Sequence, residues 1–234
     1  MMKQFIPDTP GPWLRFCLGA LLAAALFVPS ALAAPDVTIE LAGPQSFGGF
    51  LSAGVGYIMP GGHPQILFLL AIFLTSPRTG PLATQVIAFI LGHSLTLWLT
   101  GLGVIAPPAS IVAWLVPATI MLAALENLLF GRVTKMKPGL VFAYGLIHGL
   151  SFGLVFLGLA SAQPGNASAL FGFNLGLEIA HLAIIGLALA ASLYFRGVLK
   201  QASRMDLYRP MIVVPVSLAI FVTGLIWTVQ AFNA

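Results

Sequence analysis

Two ionisable side chains, Glu178 and His181, stand three residues apart in an otherwise apolar stretch of the chain. A helix places residues at this spacing on one face, so the carboxylate and the imidazole are expected to be neighbours. A charged side chain at the centre of a membrane helix costs about 2.5–3.5 kcal/mol, and such residues usually mark ion or proton pathways. Imidazole and carboxylate together suit a borderline divalent cation such as nickel, cobalt, zinc or iron. The same pair could instead relay protons.

Two further histidines, His93 and His148, lie near the middle of other apolar stretches. At about 1.5 Å of rise per residue, both fall at depths similar to those of Glu178 and His181. We therefore expect these four side chains to form one metal site just inside the midplane of the membrane. The polar residues expected to support the ligands or to line the ion pathway are His63, Ser94, Glu126, Asn127 and Asn174.

The composition indicates that a lipid bilayer surrounds these residues. Of the 234 residues, 59% are apolar and only 7% are charged, and the mean hydropathy is +1.02. A soluble domain carries roughly a quarter charged residues, so the chain is expected to be an integral membrane protein. The net charge of +4 comes from basic residues scattered between apolar runs, which argues against nucleic acid as a partner.

Several kinds of site are excluded by motifs that the sequence lacks. The one cysteine, Cys17, lies in a segment expected to be removed, so the mature chain has no disulfide, thiolate metal site or cysteine nucleophile. The sequence contains no phosphate-binding loop of the GxxxxGK[ST] type. The chain therefore has no ATPase of its own.

Residues 1–33 have the layout of a secretory signal peptide, with basic residues, a short apolar core and a small-residue cleavage site after Ala33. The alternative is a retained first helix. Residues 34–234 are expected to form a single integral membrane domain, an all-α polytopic transmembrane helical bundle. The short links favour antiparallel neighbours in that bundle. The six predicted spans cover residues 48–75, 82–102, 111–130, 140–159, 169–195 and 211–232.

Glycine and proline at residues 60–64 interrupt the first span. A break at membrane depth is tolerated where protein or a water-filled cavity satisfies the freed backbone groups, as in the broken helices of transporters. A short interfacial helix that turns into the span would explain the same residues, and both interpretations stay open at this point.

Glycine recurs every fourth residue in two predicted spans. Gly145, Gly149 and Gly153 form one series, and Gly172 and Gly176 form another. Small residues at this spacing let helix backbones approach closely in membranes. The pattern predicts that the span carrying His148 packs at the centre of the bundle.

The basic residues predict the orientation of the bundle. Beyond the signal segment they all fall in alternate links, whereas the opposite links, 103–110 and 160–168, contain none. The positive-inside rule makes the basic side cytoplasmic. A cleaved signal peptide and six spans then place both mature termini in the periplasm, with the protein in a bacterial inner membrane. The basic residues concerned are Arg78, Arg132, Lys135, Lys137, Arg196, Lys200, Arg204 and Arg209.

The segments that carry the polar residues resemble the HupE/UreJ family of membrane proteins. The matching stretches are 88–97, 124–128, 142–152 and 173–178. The family is associated with hydrogenase and urease loci, and the resemblance implies uptake of nickel or cobalt across the inner membrane. It covers His93, Glu126, His148 and Glu178, whereas His181 stands where the family more usually has glutamine.

The first span departs from the family pattern. The family has a histidine, four further residues and then an aspartate–histidine pair before an apolar run. Here the residues before Ile66 are His63, Pro64 and Gln65, and Tyr57 or Ile58 stands at the place of the earlier histidine. If the motif selects the metal, this chain transports a different ion or none.

These observations favour a secondary permease for a divalent transition metal, with nickel first and cobalt second. The protein is expected not to be an enzyme and to hold no tightly bound cofactor, because the metal is its cargo. No ATPase subunit is indicated, and a homo-oligomer and partners in metalloenzyme maturation both stay open. Two alternatives remain: a non-transporting accessory protein of metalloenzyme maturation, and an intramembrane zinc-dependent hydrolase with Glu178 or Glu126 as general base.

Overall fold

The computed structural model describes residues 46–59, 61–75, 79–130, 135–159 and 166–234. Helices make up nearly all of these residues. No strand occurs in these ranges, which confirms the all-α class. The predicted signal peptide, residues 1–33, lies outside them, as do Arg78 and Arg132. The seven α-helices are α1 Phe47–Ile58, α2 His63–Thr75, α3 Thr79–Gly101, α4 Ala109–Leu129, α5 Lys137–Leu159, α6 Ala167–Gln201 and α7 Val214–Phe232. A 3₁₀ turn, Met205–Leu207, and a π-helical turn, Arg209–Val213, lead into α7.

Five helical segments are long and apolar enough to cross a membrane, namely α3, α4, α5, α6 and Met205–Phe232. The count becomes six when α1 and α2 are taken together as one bent span, with an angle of 69° between their axes. The described part of the chain is therefore a multi-pass membrane bundle. The longest helix, α6, has 35 residues, or about 52 Å at 1.5 Å per residue, which exceeds a bilayer core of about 30 Å.

The contacts of α1 decide between the two interpretations of the first span. Phe47 lies against Gly172, and Leu51 lies against Gly176 one turn further along both helices. Because α6 crosses the membrane and α1 runs beside it in the same direction, α1 also runs into the membrane. The structure therefore favours a broken span over a helix that lies flat at the interface.

The most extensive packing joins α3 to α5, and these two helices also run in the same direction. Gly92 faces Gly145, Gly149 contacts the backbone of His93, and Gly153 contacts Thr100. The missing Cβ atoms let the two backbones touch, which is the close approach expected of glycines at four-residue spacing. The expectation of antiparallel neighbours fails for this pair and for α1 with α6, because close-packing glycines, rather than short links, select the partners.

The remaining helices complete the bundle around these two parallel pairs. α7 packs along α4, where Gly224 meets the backbone of Met121. The short helix α2 contacts α4, α6 and α7, and its Phe68 is completely buried.

One end of the bundle, which we call the basic end, carries every lysine and arginine that the structure describes. It is the end at which α4 and α6 finish and α5 begins. Arg209 donates hydrogen bonds there to the carbonyl oxygens of Asn127 (3.2 Å) and Leu128 (3.4 Å). A cation at this position satisfies free carbonyls at the C-terminus of α4 and complements the helix dipole.

Candidate metal-binding site

Three side chains with metal-binding atoms meet inside the bundle, where α3 faces α6. His93 Nε2 lies 2.8 Å from Glu178 Oε1, and His181 Nδ1 lies 3.9 Å from Glu178 Oε2. One ligand atom from each of the three residues lies within 4.8 Å of the other two. Both histidines are buried, and the Glu178 side chain is 15% exposed. We call this group the His93–Glu178–His181 cluster.

Backbone contacts hold the two ligand-bearing helices in place. Gly92 precedes His93 and brings α5 against α3, while Gly176 lies two residues before Glu178 and brings α1 against α6. Asn166 caps the start of α6 by accepting a hydrogen bond from the amide of Ala169 at 3.1 Å. The ligands therefore stand on rigid helices, as a defined binding geometry requires.

Four polar atoms of the cluster have no hydrogen-bond partner among the described residues. They are His93 Nδ1, Glu178 Oε2 and both ring nitrogens of His181. A buried polar atom left unpaired costs about 1–3 kcal/mol. Imidazole nitrogens and a carboxylate oxygen are also the donor atoms that nickel, cobalt and zinc accept. The unpaired atoms therefore fit a site whose coordination is completed by a cation.

His148, predicted as a fourth ligand, lies outside this cluster. Its Nε2 is 2.8 Å from Thr119 Oγ1 on α4, while its Nδ1 has no partner among the described residues. The rings of Phe89 and Phe152 each contact His148, His93 and His181. Two aromatic side chains thus lie between His148 and the three clustered ligands.

Ser94 and Asn174 lie beside the carboxylate of the cluster. The Ser94 hydroxyl donates to Asn174 Oδ1 at 3.2 Å and approaches Glu178 Oε1 at 3.4 Å. These contacts join α3 to α6 next to the ligands.

Glu126 and Asn127 lie at the basic end. The Glu126 carboxylate accepts a hydrogen bond from the Lys137 ammonium and another from the Tyr144 hydroxyl at 2.8 Å. The Asn127 amide donates to the carbonyl of Ala71 at 2.7 Å and accepts from Thr75 at 2.6 Å. Both residues brace α4 against its neighbours. His63, also predicted near the pathway, is the first residue of α2 and is not part of the cluster.

Sequence reasoning did not identify the partners of these histidines. Thr119, Phe89 and Phe152 are an ordinary threonine and two ordinary phenylalanines in apolar helices, and only Pro117, two residues before Thr119, hints at an unusual turn of α4. Tyr57 and Gln65 were noted only as departures from a family motif. The structure joins them by a hydrogen bond from Gln65 Nε2 to the Tyr57 hydroxyl at 3.2 Å.

Comparison with known protein families gives one match. A family model described as HupE / UreJ protein matches residues 34–231, which include α1 to α6 and nearly all of α7. No curated protein and no solved structure matches the chain.

Proposed function

The chain belongs to the HupE/UreJ family, and from this premise we propose that it is a secondary permease that carries nickel or cobalt across the bacterial inner membrane. Membership makes it a membrane protein of the nickel or cobalt accessory or permease type. The choice of permease, and of nickel as the first cargo, is our proposal.

The observation that carries the proposal is the His93–Glu178–His181 cluster. Two imidazoles and one carboxylate form an incomplete coordination sphere of moderate strength, with no thiolate among them. A transport site has to release its ion, so a few borderline ligands suit it better than a closed structural site. Water or the nearby Ser94 and Asn174 side chains can complete the sphere around a six-coordinate ion.

The membrane potential can drive such a permease without an ATPase. Moving one charge through 100 mV is worth about 2.3 kcal/mol, so a divalent ion gains about 4.6 kcal/mol. That energy supports accumulation of about a thousandfold. The proposed orientation places the basic end in the cytoplasm and both mature termini in the periplasm, so the potential pulls the cation towards the basic end.

Uptake and binding measurements test the proposal together. Cells that produce the protein should accumulate radioactive nickel faster than cells with an empty vector, and collapse of the membrane potential should abolish the difference. Purified protein in detergent should bind nickel in equilibrium dialysis. Absence of both potential-dependent uptake and nickel binding would refute the permease proposal.

The fate of the metal distinguishes this proposal from its alternatives. A permease should lose its ion when a chelator is added during purification, whereas a zinc-dependent hydrolase should retain about one zinc per chain. An accessory protein that does not transport would leave uptake at the vector level. Elemental analysis before and after chelation, combined with the uptake assay, separates the three functions.

A further inference from the structure

A crevice between α3 and α6 opens on the outer surface of the bundle, and we call it the α3–α6 crevice. Ser94, Asn174 and Glu178 lie along its floor, and each of them is partly exposed. The hydrogen bond from Ser94 to Asn174 and the contact of His93 with Glu178 join the two helices at this floor. Large apolar side chains on both rims are 45–60% exposed, namely Leu91 and Leu95 on α3 and Ile179 and Leu182 on α6. Because both helices are long and apolar enough to cross a membrane, these rims face lipid.

Asn174 offers more hydrogen-bonding atoms than its own chain uses. Its Oδ1 accepts a hydrogen bond from Ser94 at 3.2 Å, whereas its amide N–H groups donate to no other residue in the part of the chain that the structure describes. The Glu178 side chain beside it is 15% exposed. Lipid chains accept no hydrogen bonds, and a carboxylate that faces them is costly. The floor of the crevice therefore favours a protein partner that covers it and supplies polar groups.

The outer face of α6 has the spacing of a helix-pairing seam. Apolar residues that are exposed or partly exposed recur there at alternating intervals of four and three: Leu175, Ile179, Leu182, Gly186, Leu189 and Leu193. Two membrane helices pack side by side with this period. At the Cβ position of Gly186 no described residue lies within 4 Å. Gly172 and Gly176 of the same helix are covered by α1, whereas Gly186 leaves room for one more helix.

Symmetry favours a second copy of this chain as the protein that covers the crevice. Two copies inserted in the same orientation are related by a two-fold axis along the membrane normal, so each residue meets its counterpart at the same depth. The side chain of Asn174 carries both donor and acceptor groups, and two such amides at equal depth satisfy each other. The amide is therefore self-complementary, and no group from a different protein is needed to pair with it.

We propose that the chain forms a two-fold homodimer in which α6 of each copy lies along the α3–α6 crevice of the other. The two Asn174 amides donate hydrogen bonds to each other across the axis, and the apolar seams of the two α6 helices pack together. Each copy covers the exposed side of Glu178 in the other, so that the carboxylate of the His93–Glu178–His181 cluster no longer meets lipid. The inference does not depend on the ion that the cluster binds.

Cysteine cross-linking in native membranes locates the interface. In a C17S background, L182C on α6 should form a disulfide between two copies when oxygen and copper phenanthroline are added as oxidant. L122C is the matched control, because Leu122 is also exposed (41%) and also lies about four turns into its helix, but on α4. It should not cross-link. Cross-linking of L122C in place of L182C would overturn the inference, and so would a disulfide between L182C and a different protein.

The mass of the purified full-length protein in lipid nanodiscs should equal that of two chains. N174L should weaken dimerisation at least about fivefold, since one interhelical hydrogen bond in a membrane changes affinity by about threefold to twentyfold. G186I puts a branched side chain into the seam and should weaken it by a similar factor. A single copy leaves that position open, so G186I tests the seam even if N174L does not fold.

G158I is the matched control for G186I, because Gly158 on α5 is equally open at its Cβ position and lies outside the seam. Its dimer fraction should equal that of the wild-type protein. A monomeric wild-type protein would refute the homodimer. Dimers that persist unchanged in a folded G186I or N174L protein would refute the interface.

Discussion

Glu178 Oε1 and His93 Nε2 lie 2.8 Å apart at the contact of α3 with α6, although 85 residues separate them in the chain. An interhelical hydrogen bond in a membrane contributes about 0.6 kcal/mol on average and at most about 1.7 kcal/mol. The other oxygen of the same carboxylate faces His181 without a hydrogen bond. Glu178 thus ties two helices together with one oxygen and leaves the other for a ligand.

Replacing Glu178 by glutamine should reduce nickel affinity by at least about tenfold, because the change removes the only anionic donor of the cluster while conserving its shape. Equilibrium dialysis of the purified variant provides the measurement. D206N is the matched control, since it removes an exposed carboxylate that pairs with Arg204 at the basic end, away from the cluster. Equal affinities for E178Q and the wild-type protein would show that the ion binds elsewhere.

Replacing His148 by asparagine should leave nickel affinity nearly unchanged, because His148 lies behind Phe89 and Phe152 and is bound to Thr119. The parallel variant H181N should lose affinity, since it removes a ligand of the cluster. If H148N binds nickel as poorly as H181N does, the site has four ligands and the arrangement of α5 differs from that described.

Replacing Gly145 by alanine should destabilise the fold by about 1–3 kcal/mol, a typical cost of overpacking. The added Cβ would meet the Phe89 carbonyl oxygen at 2.7 Å and the His93 amide at 3.1 Å. The thermal unfolding midpoint in detergent measures the effect. On the same helix, the exposed Gly158 has open space at its Cβ position, so G158A should stabilise by about 0.5–1 kcal/mol. Equal midpoints for both variants would contradict the α3–α5 crossing.

Replacing Glu126 by glutamine should destabilise the basic end by about 1–3 kcal/mol, because the change leaves the Lys137 ammonium without its counter-charge. The Lys137 side chain is 5% exposed and that of Glu126 is 19% exposed. Y144F removes a single hydrogen bond and should cost less, about 0.5–1.5 kcal/mol. The double variant E126Q/K137M should recover part of the loss, and strictly additive losses would argue against coupling of the two charges.

Single cysteines should report which side of the membrane each end faces. In a C17S background, a cysteine at Met136, which is 83% exposed at the basic end, should react only with a membrane-permeant thiol reagent. A cysteine at Val104, which is 66% exposed at the opposite end, should react with an impermeant reagent in intact spheroplasts. The reverse pattern would invert the proposed orientation and the direction of uptake.

Hydrophobic length was enough to predict the helical class and the approximate place of each spanning segment. The predicted spans at residues 82–102 and 111–130 correspond to α3 Thr79–Gly101 and α4 Ala109–Leu129. The predicted span at residues 169–195 lies within the longer helix α6. Arg196 and Lys200 end the apolar run, but both are good helix formers, so the helix continues to Gln201.

Partner choice between helices was much harder to predict than helix position. The depth of a residue in the membrane, counted along its own helix, placed His93 and His148 near Glu178. Depth carries no information about the direction in which each side chain points. His93 meets Glu178 because α3 packs on α6, whereas His148 points to Thr119 on α4. The Glu178–His181 contact was within reach of sequence reasoning because the three-residue spacing on one helix fixes both depth and direction.

The tie between His93 and Glu178 has a consequence for biosynthesis. The ribosome makes α3 well before α6, and at about 5–20 residues per second the 85 residues added from Ser94 to Glu178 take roughly 4–17 s. During that interval His93 lacks its partner on α6, which has not yet been translated. Each helix must therefore insert through the translocon because of its own apolar residues. Each leucine or isoleucine contributes about −0.3 to −0.6 kcal/mol to the free energy of insertion. The long apolar runs around the ligands thus keep α3 inserted until α6, which carries Glu178 and His181, has been translated.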